Sequence, residues 1–261
     1  MHNLGCENFS VELKIMKTRL DKLMFERGLT SSRERAQALI IAGKVLVAGQ
    51  KIEKPGTNVE SDAEIRLLGE DIKYVSRGGL KLERALEYWQ IDVKGKVCLD
   101  VGASTGGFTD CLLQNGAQFV VAVDTGYGQI DFKLRQDSRL KLLEKTNARY
   151  LTGEQIGQAA DFIAMDVSFI SATLVLPAVI SAGFGEEKSG RQIVVLVKPQ
   201  FEVGRELVGK GGIVRDEAAQ QNAVERVRQS VTNLGAVHVD VIDSPILGAE
   251  GNREFLLRAR F

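Results

Sequence analysis

Short apolar runs alternate with helix-length stretches from residue 97 onward, and this alternation restricts the fold of the chain more than any other feature. The runs occupy residues 97–101, 119–123, 162–165, 193–197, 237–242 and 255–257. Buried parallel strands joined by helical crossovers produce such a pattern, because parallel neighbours need a long connection between them. The sequence therefore predicts an α/β domain with a doubly wound parallel sheet.

A basic module precedes this region, although the chain as a whole is electrically balanced. The 261 residues contain 34 Lys plus Arg and 34 Asp plus Glu, which excludes a uniformly basic nucleic-acid coat. Residues 17–59 contain nine basic and four acidic residues, so nine minus four leaves a net charge of +5. Apolar residues recur there at helical spacing in two groups, Leu20, Leu23 and Met24, then Ala36, Leu39 and Ile40.

Turn residues bound these stretches and indicate a small domain. Gly28 ends the first predicted helix, Thr30 or Ser31 caps the second, and Gly43 ends it. Strands are predicted within residues 44–52 and 63–68. Such a unit is too small for an enzyme active site but suits the presentation of basic side chains to phosphates. A solvated charged face is the alternative interpretation.

Cysteine and histidine usage excludes several classes of protein. Cys6, Cys98 and Cys111 stand at unrelated spacings and the two histidines are far apart, so neither a disulfide framework nor a zinc site is expected.

The uncharged run 167–185 contains Pro177 and several hydroxyl side chains. We interpret it as a strand end, a loop and a partly buried helix rather than a membrane span. Since the N-terminal residues do not resemble a secretory signal, we expect a reduced, cytoplasmic protein.

The strongest chemical signal is a glycine-rich turn between an apolar strand and a helix. Ser104 stands where the dinucleotide fingerprint has its second glycine, and Asp100 lies two residues before the first, Gly102. This arrangement favours S-adenosylmethionine over a pyrophosphate ligand. Asp124 ends the next strand, where an acid commonly binds a ribose diol. A glycine turn without a ligand is the alternative. The predicted cofactor residues are Asp100, Gly102, Ala103, Ser104, Thr105, Gly106, Gly107, Phe108 and Asp124.

Two further predicted strands are each followed directly by a charged residue. Asp166 follows the run 162–165, and Lys198 follows the run 193–197. The carboxyl ends of strands line the ligand crevice of an open parallel sheet, so both side chains are expected beside the reactive end of the cofactor. Charged residues also follow strands simply because the core has ended, and this alternative remains open for each.

A series of ordered motifs extends from Lys17 to the C-terminus. The motifs are Thr18-Arg19-Leu20-Asp21-Lys22-Leu23, Ser32-Arg33-Glu34-Arg35-Ala36, Val75-Ser76-Arg77-Gly78-Gly79-Leu80-Lys81-Leu82, residues 100–110, 166–169 and 198–202, Lys210-Gly211-Gly212-Ile213-Val214-Arg215-Asp216, and residues 251–255. Together they resemble the TlyA family of hemolysin-like proteins and ribosomal RNA 2'-O-methyltransferases. The catalytic domain of that family is similar to the FtsJ heat-shock methyltransferases, with a Rossmann-like sheet. The first two motifs resemble an RNA-binding module of the ribosomal-protein-S-four type.

The resemblance implies a division of the chain and a set of site residues. The implied parts are an extension at 1–16, an RNA-binding domain at 17–73, a linker at 74–80 and a methyltransferase domain at 81–261. The Lys-Asp-Lys-Glu tetrad of FtsJ-like enzymes maps onto Lys81, Asp166, Lys198 and Glu254, with Glu250 a near neighbour of the last. The residues expected to bind RNA are Lys17, Arg19, Lys22, Arg33, Arg35 and Lys44. Some relatives have an Arg-x-Trp-Val motif where this chain has Ile72-Lys73-Tyr74-Val75, so no linker switch is carried over.

The implied function is S-adenosylmethionine-dependent methylation of a ribose 2'-hydroxyl, of a cytidine, in ribosomal RNA or ribosomal subunits. Lys198 is expected to act as the base in its neutral form. Lys81 and the sulfonium favour the loss of its proton, whereas Asp166 and Glu254 oppose it. No metal, membrane or obligate protein partner is expected. Two other functions stay open, a membrane-active hemolysin and a non-catalytic ribosome-assembly factor; the intact acidic, glycine and lysine positions argue against the latter.

Overall fold

A computed structural model describes residues 17–30, 32–68, 73–248 and 250–261. The proposed extension at 1–16 and the possible helix cap Ser31 lie outside the described residues. The chain divides into two compact units, one ending at Asp71 and the other beginning at Ile72.

The N-terminal unit combines two short helices with two small antiparallel sheets. Its elements, numbered in chain order, are β1 (Lys17–Arg19), α1 (Leu20–Glu26), α2 (Arg33–Ile41), β2 (Val45–Val47), β3 (Gln50–Lys51), β4 (Asn58–Glu60) and β5 (Ile65–Leu67). β1 pairs with β4, and β2 lies between β3 and β5. All six apolar side chains chosen from helical spacing are buried, so the predicted inward faces of α1 and α2 are confirmed.

The N-cap of α2 differs from the prediction. Ser32 is the N-cap, and its Oγ accepts a hydrogen bond from the Arg35 amide at 3.1 Å. Thr30 instead donates its hydroxyl to the Ser32 carbonyl at 3.1 Å. Consecutive hydroxyl residues compete for this position, and the path of the backbone into the helix selects among them.

The C-terminal unit is built on a seven-stranded sheet. Its helices are α3 (Gly78–Tyr88), α4 (Gly107–Gln114), α5 (Phe132–Arg135), α6 (Gly153–Ile156), α7 (Leu176–Phe184), α8 (Pro199–Glu202) and α9 (Glu217–Asn233). Its strands are β6 (Val97–Val101), β7 (Phe119–Val123), β8 (Leu140–Leu143), β9 (Phe162–Met165), β10 (Gln192–Val197), β11 (His238–Asp243) and β12 (Phe255–Arg260). Short 3-10 helices occupy Ala148–Tyr150, Ala172–Leu174, Arg205–Leu207 and Lys210–Gly212.

The strand order is β11-β12-β10-β9-β6-β7-β8, and the run from β10 to β8 is parallel throughout. This arrangement confirms the predicted doubly wound sheet. β12 alone runs antiparallel to its two neighbours, β10 and β11. Side chains alternate between two buried layers: Leu99 and Val101 belong to one apolar cluster, whereas Cys98 belongs to the other. The sheet is therefore covered on both faces.

Two segments of this unit bear on expectations from the sequence. α3 begins at Gly78, so Gly78 and Gly79, within the segment 74–80 that the resemblance implies as a linker, are helical. The uncharged run 167–185 forms a loop, a 3-10 helix and the short helix α7. Within the described ranges, no helix has both the length and the apolar character needed to cross a membrane.

Candidate active site

Neighbouring parallel strands end beside one another and supply the first part of the site. Val101, the last residue of β6, pairs with Met165, the last residue of β9, and β9 pairs in turn with β10. Lys198 Nζ lies 2.6 Å from Asp166 Oδ1 and donates a hydrogen bond to Ser168 Oγ at 2.7 Å. The two charged residues predicted from strand ends thus form an ion pair at the carboxyl edge of the sheet.

Lys81 and Glu254 reach the same edge from distant parts of the sequence. Phe255, at the start of the antiparallel β12, pairs with Val197 at the end of β10. Glu254 directly precedes β12, and its Oε2 lies 2.5 Å from Nζ of Lys81, which belongs to the first turn of α3. Because β12 is antiparallel, its first residue lies at the carboxyl edge; a parallel strand would begin at the opposite edge.

Both ion pairs line one cavity of about 320 Å³. The residues of the glycine-rich turn that line it are Gly102, Ala103, Ser104, Thr105, Gly107 and Phe108. The remaining lining residues are Ser76, Arg77, Gly78, Ile246 and Leu247. Two lysines and two carboxylates compensate each other in charge, and both lysine side chains are only 11 % exposed. Among the described residues, no group of three or more His, Cys, Asp or Glu side chains suits a metal ion.

A second cavity of about 390 Å³ shares Gly102, Ser104 and Asp166 with the first. Its polar lining includes Asp124 and Asn147. The apolar lining consists of Val101, Val123, Ala148, Val167, Phe169, Ile170 and Val175. Both cavities combine apolar and polar walls and meet at the glycine-rich turn, so together they form a candidate cofactor site.

The glycine turn depends on a close backbone approach. Gly102 has φ +87°, and a Cβ at this position would lie 2.3 Å from the carbonyl oxygen of Asp166. Only glycine therefore allows the turn to lie against the segment that carries Asp166. Asp124 supports the turn, because its Oδ2 accepts a hydrogen bond from the Ser104 amide at 2.8 Å. Its Oδ1 accepts one from the Gly126 amide at 2.6 Å.

Asp100 lies beneath the turn rather than in it. Its side chain is fully buried and accepts a hydrogen bond from Thr109 Oγ1 at 2.6 Å, whereas Oδ1 has no hydrogen-bond partner among the described residues. Burial raises the pKa of this carboxyl to about 7. Of the predicted cofactor residues, Asp100 and Gly106 line neither of the two cavities.

A buried carboxylate organises the basic surface of the N-terminal unit. Arg19 donates to both oxygens of Asp21 at 3.0 and 2.9 Å, and Arg33 Nε donates to Oδ2 at 3.1 Å. The Gln37 amide group donates to the same carboxylate at 2.8 Å. The hydrogen bonds from Arg19 contribute most to holding the pKa of Asp21 well below its usual range. Both arginine side chains remain about half exposed, at 49 % and 43 %.

The other residues predicted to bind RNA are distributed over the same unit. Lys17 and Lys44 are exposed, and Arg35 is half-buried on α2. Lys22 is exposed on α1 and lies 3.4 Å from Glu26. Asp21 could not be identified from the sequence as the group that orients Arg19 and Arg33, because burial of an acid cannot be read from local composition.

Phe169 is a residue that sequence reasoning did not select. Its side chain is 92 % exposed, the largest value among the described large hydrophobic residues, and it lines the larger cavity. Its backbone has φ +64°, which is strained for a bulky residue. The centroid of its ring lies 5.4 Å from the centroid of the Phe201 ring. Its strained backbone beside a cavity makes it a candidate for contact with a ligand. The motif 166–169 contained the signal, but no pattern of polarity singled out this position.

Each of the two units is similar to a known protein family. Residues 74–261 match the sequence profile of FtsJ-like methyltransferases, and residues 18–65 match that of the S4 domain. The 16S/23S rRNA (cytidine-2'-O)-methyltransferase TlyA of Mycobacterium tuberculosis is 45% identical over 245 residues, which cover 94% of this chain and 90% of that protein. Hemolysin A of Brachyspira hyodysenteriae is 41% identical over 239 residues, which cover 91% and 98% of the two chains. A solved structure of a proposed hemolysin from Streptococcus thermophilus has a TM-score of 0.70 at 42% identity, covering 94% of this chain and 89% of that one.

Proposed function

We propose that this chain, which belongs to the FtsJ-like methyltransferase family, transfers a methyl group from S-adenosylmethionine to the 2'-hydroxyl of a cytidine in ribosomal RNA. The observation that carries the proposal is the convergence of Lys81, Asp166, Lys198 and Glu254 on one cavity beside a glycine-rich turn. The name of the mycobacterial relative supports cytidine as the nucleotide. We assign the activity to the cytoplasm, where ribosomal RNA is modified.

The two cavities fit S-adenosylmethionine in size and in chemistry. Their volumes are about 390 and 320 Å³, within the range of cofactor sites, and they meet at Gly102, Ser104 and Asp166. Asp124, in the larger cavity, would hold the ribose hydroxyls of the cofactor, while the apolar walls there would hold its base. When bound, the cofactor supplies an electron-poor methyl group on a sulfonium.

Lys198, in its neutral form, would accept the proton of the ribose 2'-hydroxyl as the oxygen takes the methyl group. Its Nζ is fixed by Asp166 Oδ1 at 2.6 Å and by Ser168 Oγ at 2.7 Å, so the amine has a defined direction into the cavity. Lys81, paired with Glu254, contributes a second fixed cation close to the developing alkoxide. Placement of the reacting groups supplies much of the rate gain in such a displacement, and general-base catalysis adds about 10²–10⁴-fold.

Both the arginines of the N-terminal unit and the exposed ring of Phe169 would contribute to RNA binding. Arg19 and Arg33 present half-exposed guanidiniums that suit phosphate oxygens, which predicts an affinity that falls with salt. Phe169 offers an exposed ring beside the cavity, where an unstacked base would rest on it. The basic unit thus supplies sequence-independent affinity, and the aromatic contributes to placing the target nucleotide.

The test is methylation of ribosomal subunits isolated from a strain that lacks the gene. The protein is incubated with radiolabelled S-adenosylmethionine and each subunit, and 2'-O-methylated nucleotides are mapped. We expect label at discrete cytidines with the wild type and none with Lys198→Ala. Absence of label on both subunits, from a protein that binds the cofactor, would contradict the proposal and favour a different RNA or an assembly role.

A further inference from the structure

Two short segments that follow β9 and β10 touch each other at successive points. The contacts, in chain order, are Lys198 with Ser168, Phe201 with Phe169, and Glu202 with Ser171. The first contact orients the proposed base, and the second contact lies at the exposed aromatic. The third contact lies outside both cavities, so neither cofactor nor substrate binding accounts for it.

Glu202 is the buried member of this third contact, with an exposure of 3 %. Its Oε2 accepts a hydrogen bond from Ser171 Oγ at 2.6 Å, and its Oε1 accepts one from the Ala172 amide at 2.7 Å. Burial raises the pKa of this carboxyl, while its hydrogen bonds and Arg226 act in the opposite direction. Arg226 also donates to the Glu202 carbonyl, which links α8 to α9. The carboxylate therefore holds the start of the 3-10 helix Ala172–Leu174 from a different part of the chain.

The loop between Asp166 and Ser171 is consequently fixed at both ends. The Asp166 amide donates to the Val101 carbonyl at 2.8 Å at one end, and Glu202 holds Ser171 at the other. Phe169 stands between them in its strained conformation. A bulky residue keeps such a conformation only where its surroundings over-determine it, and the anchored loop ends provide that constraint.

We propose that Glu202 is a positioning residue for the methyl transfer. Its buried carboxylate fixes one end of the loop, and the loop in turn holds Phe169 at the cavity and Ser168 against Lys198. This inference rests on the proposed function, because it assumes that the target nucleotide enters beside Phe169. Glu202 lines neither cavity, so it acts only through the loop, and Val167 and Ile170 of that loop line the larger cavity. We therefore expect a large loss of kcat and a clearly smaller loss of cofactor affinity when the loop is released.

Three substitutions and one control test this role. Glu202→Ala removes both acceptors, whereas Glu202→Gln keeps an acceptor for the Ala172 amide and a donor toward the Ser171 hydroxyl. Displaced reacting groups slow turnover strongly, so we expect kcat to fall about 10–100-fold in Glu202→Ala and to recover to within about threefold in Glu202→Gln. Ser171→Ala loses the hydrogen bond to Glu202 and two local hydrogen bonds with Thr173, while the Ala172 amide keeps its bond to Glu202, so we expect a fall of about threefold. Glu206→Gln, at an exposed acid nearby, serves as the matched control and retains full kcat.

Coupling with Phe169 separates positioning from a general structural effect. If Glu202 acts through the loop, Glu202→Ala combined with Phe169→Ala lowers kcat by clearly less than the product of the two single losses. Losses that multiply, or a loss of cofactor affinity that matches the loss of kcat, overturn the proposal. Where Glu202→Ala does not fold, the same cycle is measured with Ser171→Ala.

A measurement without turnover keeps this inference distinct from the proposed function. Phe169→Trp places an indole on the loop, and its emission anisotropy, after subtraction of the Trp89 signal, reports the motion of the loop. We expect lower anisotropy when Glu202→Ala is added and no change when Glu206→Gln is added. Equal anisotropy in all three proteins overturns the positioning role. A wild type that methylates no ribosomal RNA overturns the proposed function while the anisotropy still decides the role of Glu202.

Discussion

The two units pair cations with carboxylates in opposite ways. In the N-terminal unit, Asp21 holds Arg19 and Arg33 so that both guanidiniums stay about half exposed. In the C-terminal unit, the carboxylates hold Lys81 and Lys198 inside a cavity, where both lysine side chains are only 11 % exposed. The same type of ion pair thus directs one set of cations toward solvent and encloses the other.

The difference in exposure explains why the N-terminal unit uses arginine and the cavity uses lysine. Arginine stays charged at any accessible pH and presents a planar fork, which suits phosphate binding at a surface. Lysine is a compact donor that can lose its proton when it is enclosed, which suits proton transfer. The comparison therefore predicts that arginine cannot replace Lys198 in the cavity and that Arg19 and Arg33 bind RNA through charges fixed by Asp21. The following variants test these two predictions.

The largest effect is expected from Lys198→Arg, which keeps the positive charge but removes the ability to accept a proton. Methyl transfer should fall by about 10³-fold or more, as in Lys198→Ala, because general-base catalysis is lost. Single-turnover assays with labelled cofactor measure this rate, and cofactor affinity serves as the control. Substantial turnover by Lys198→Arg would show that the lysine acts only as a cation.

The next largest effect is expected from the double variant Arg19→Gln/Arg33→Gln. RNA affinity should fall by about 10–100-fold, and the slope of log affinity against log salt should decrease by about two, because two phosphate contacts are lost. Binding of labelled ribosomal RNA over a salt series measures both quantities, with cofactor affinity as the control. An unchanged salt slope would place the RNA contacts elsewhere.

A smaller effect is expected from Asp21→Asn, which leaves both arginines in place without their buried anion. RNA affinity should fall several-fold, since the guanidiniums lose their fixed directions, and stability at neutral pH should fall by about 2 kcal/mol. The folded pKa of Asp21 lies below its unfolded value, so its stabilisation is present above about pH 4 and is lost as the pH falls toward the folded value. Urea unfolding measures the free energy of unfolding of the wild type and of Asp21→Asn, and the difference between the two should be smaller at pH 3 than at pH 7. A difference that does not depend on pH would mean that the substitution acts through the shape of the side chain and not through its charge.

The smallest effect is expected from Ser168→Ala in the C-terminal unit. Lys198 would keep Asp166 and lose only the exposed Ser168 hydroxyl, so kcat should fall by about three- to fivefold. Ser168→Thr retains the hydroxyl and should restore the rate. A loss as large as that of Lys198→Ala would assign Ser168 a direct part in the chemistry.

The fold of the C-terminal unit could be predicted because its central strands are buried on both faces. Such strands are continuous apolar runs, and the predicted bounds 97–101, 119–123 and 162–165 coincide with the observed ones. β8 was missed because its residues are only partly buried and include Lys141. The antiparallel direction of β12 could not be predicted, since direction depends on the connection and not on composition.

The candidate site was accessible from sequence only in part. Asp166 and Lys198 could be placed together because each follows a parallel strand. Lys81 and Glu254 came from the resemblance alone, because their proximity depends on the direction of β12. Glu202 was noted only as the end of a motif, and its contacts with Ser171 and Ala172 depend on tertiary packing that no local pattern encodes.

The antiparallel insertion of β12 also has a consequence for the timing of biosynthesis. The strand enters between β10 and β11, and Glu254 directly precedes it, so the pair with Lys81 cannot form until translation has passed this strand. The basic unit precedes this sheet in the chain, so it emerges earlier and can fold first. A nascent chain that has not yet reached Glu254 therefore lacks one of the two ion pairs that line the proposed catalytic cavity.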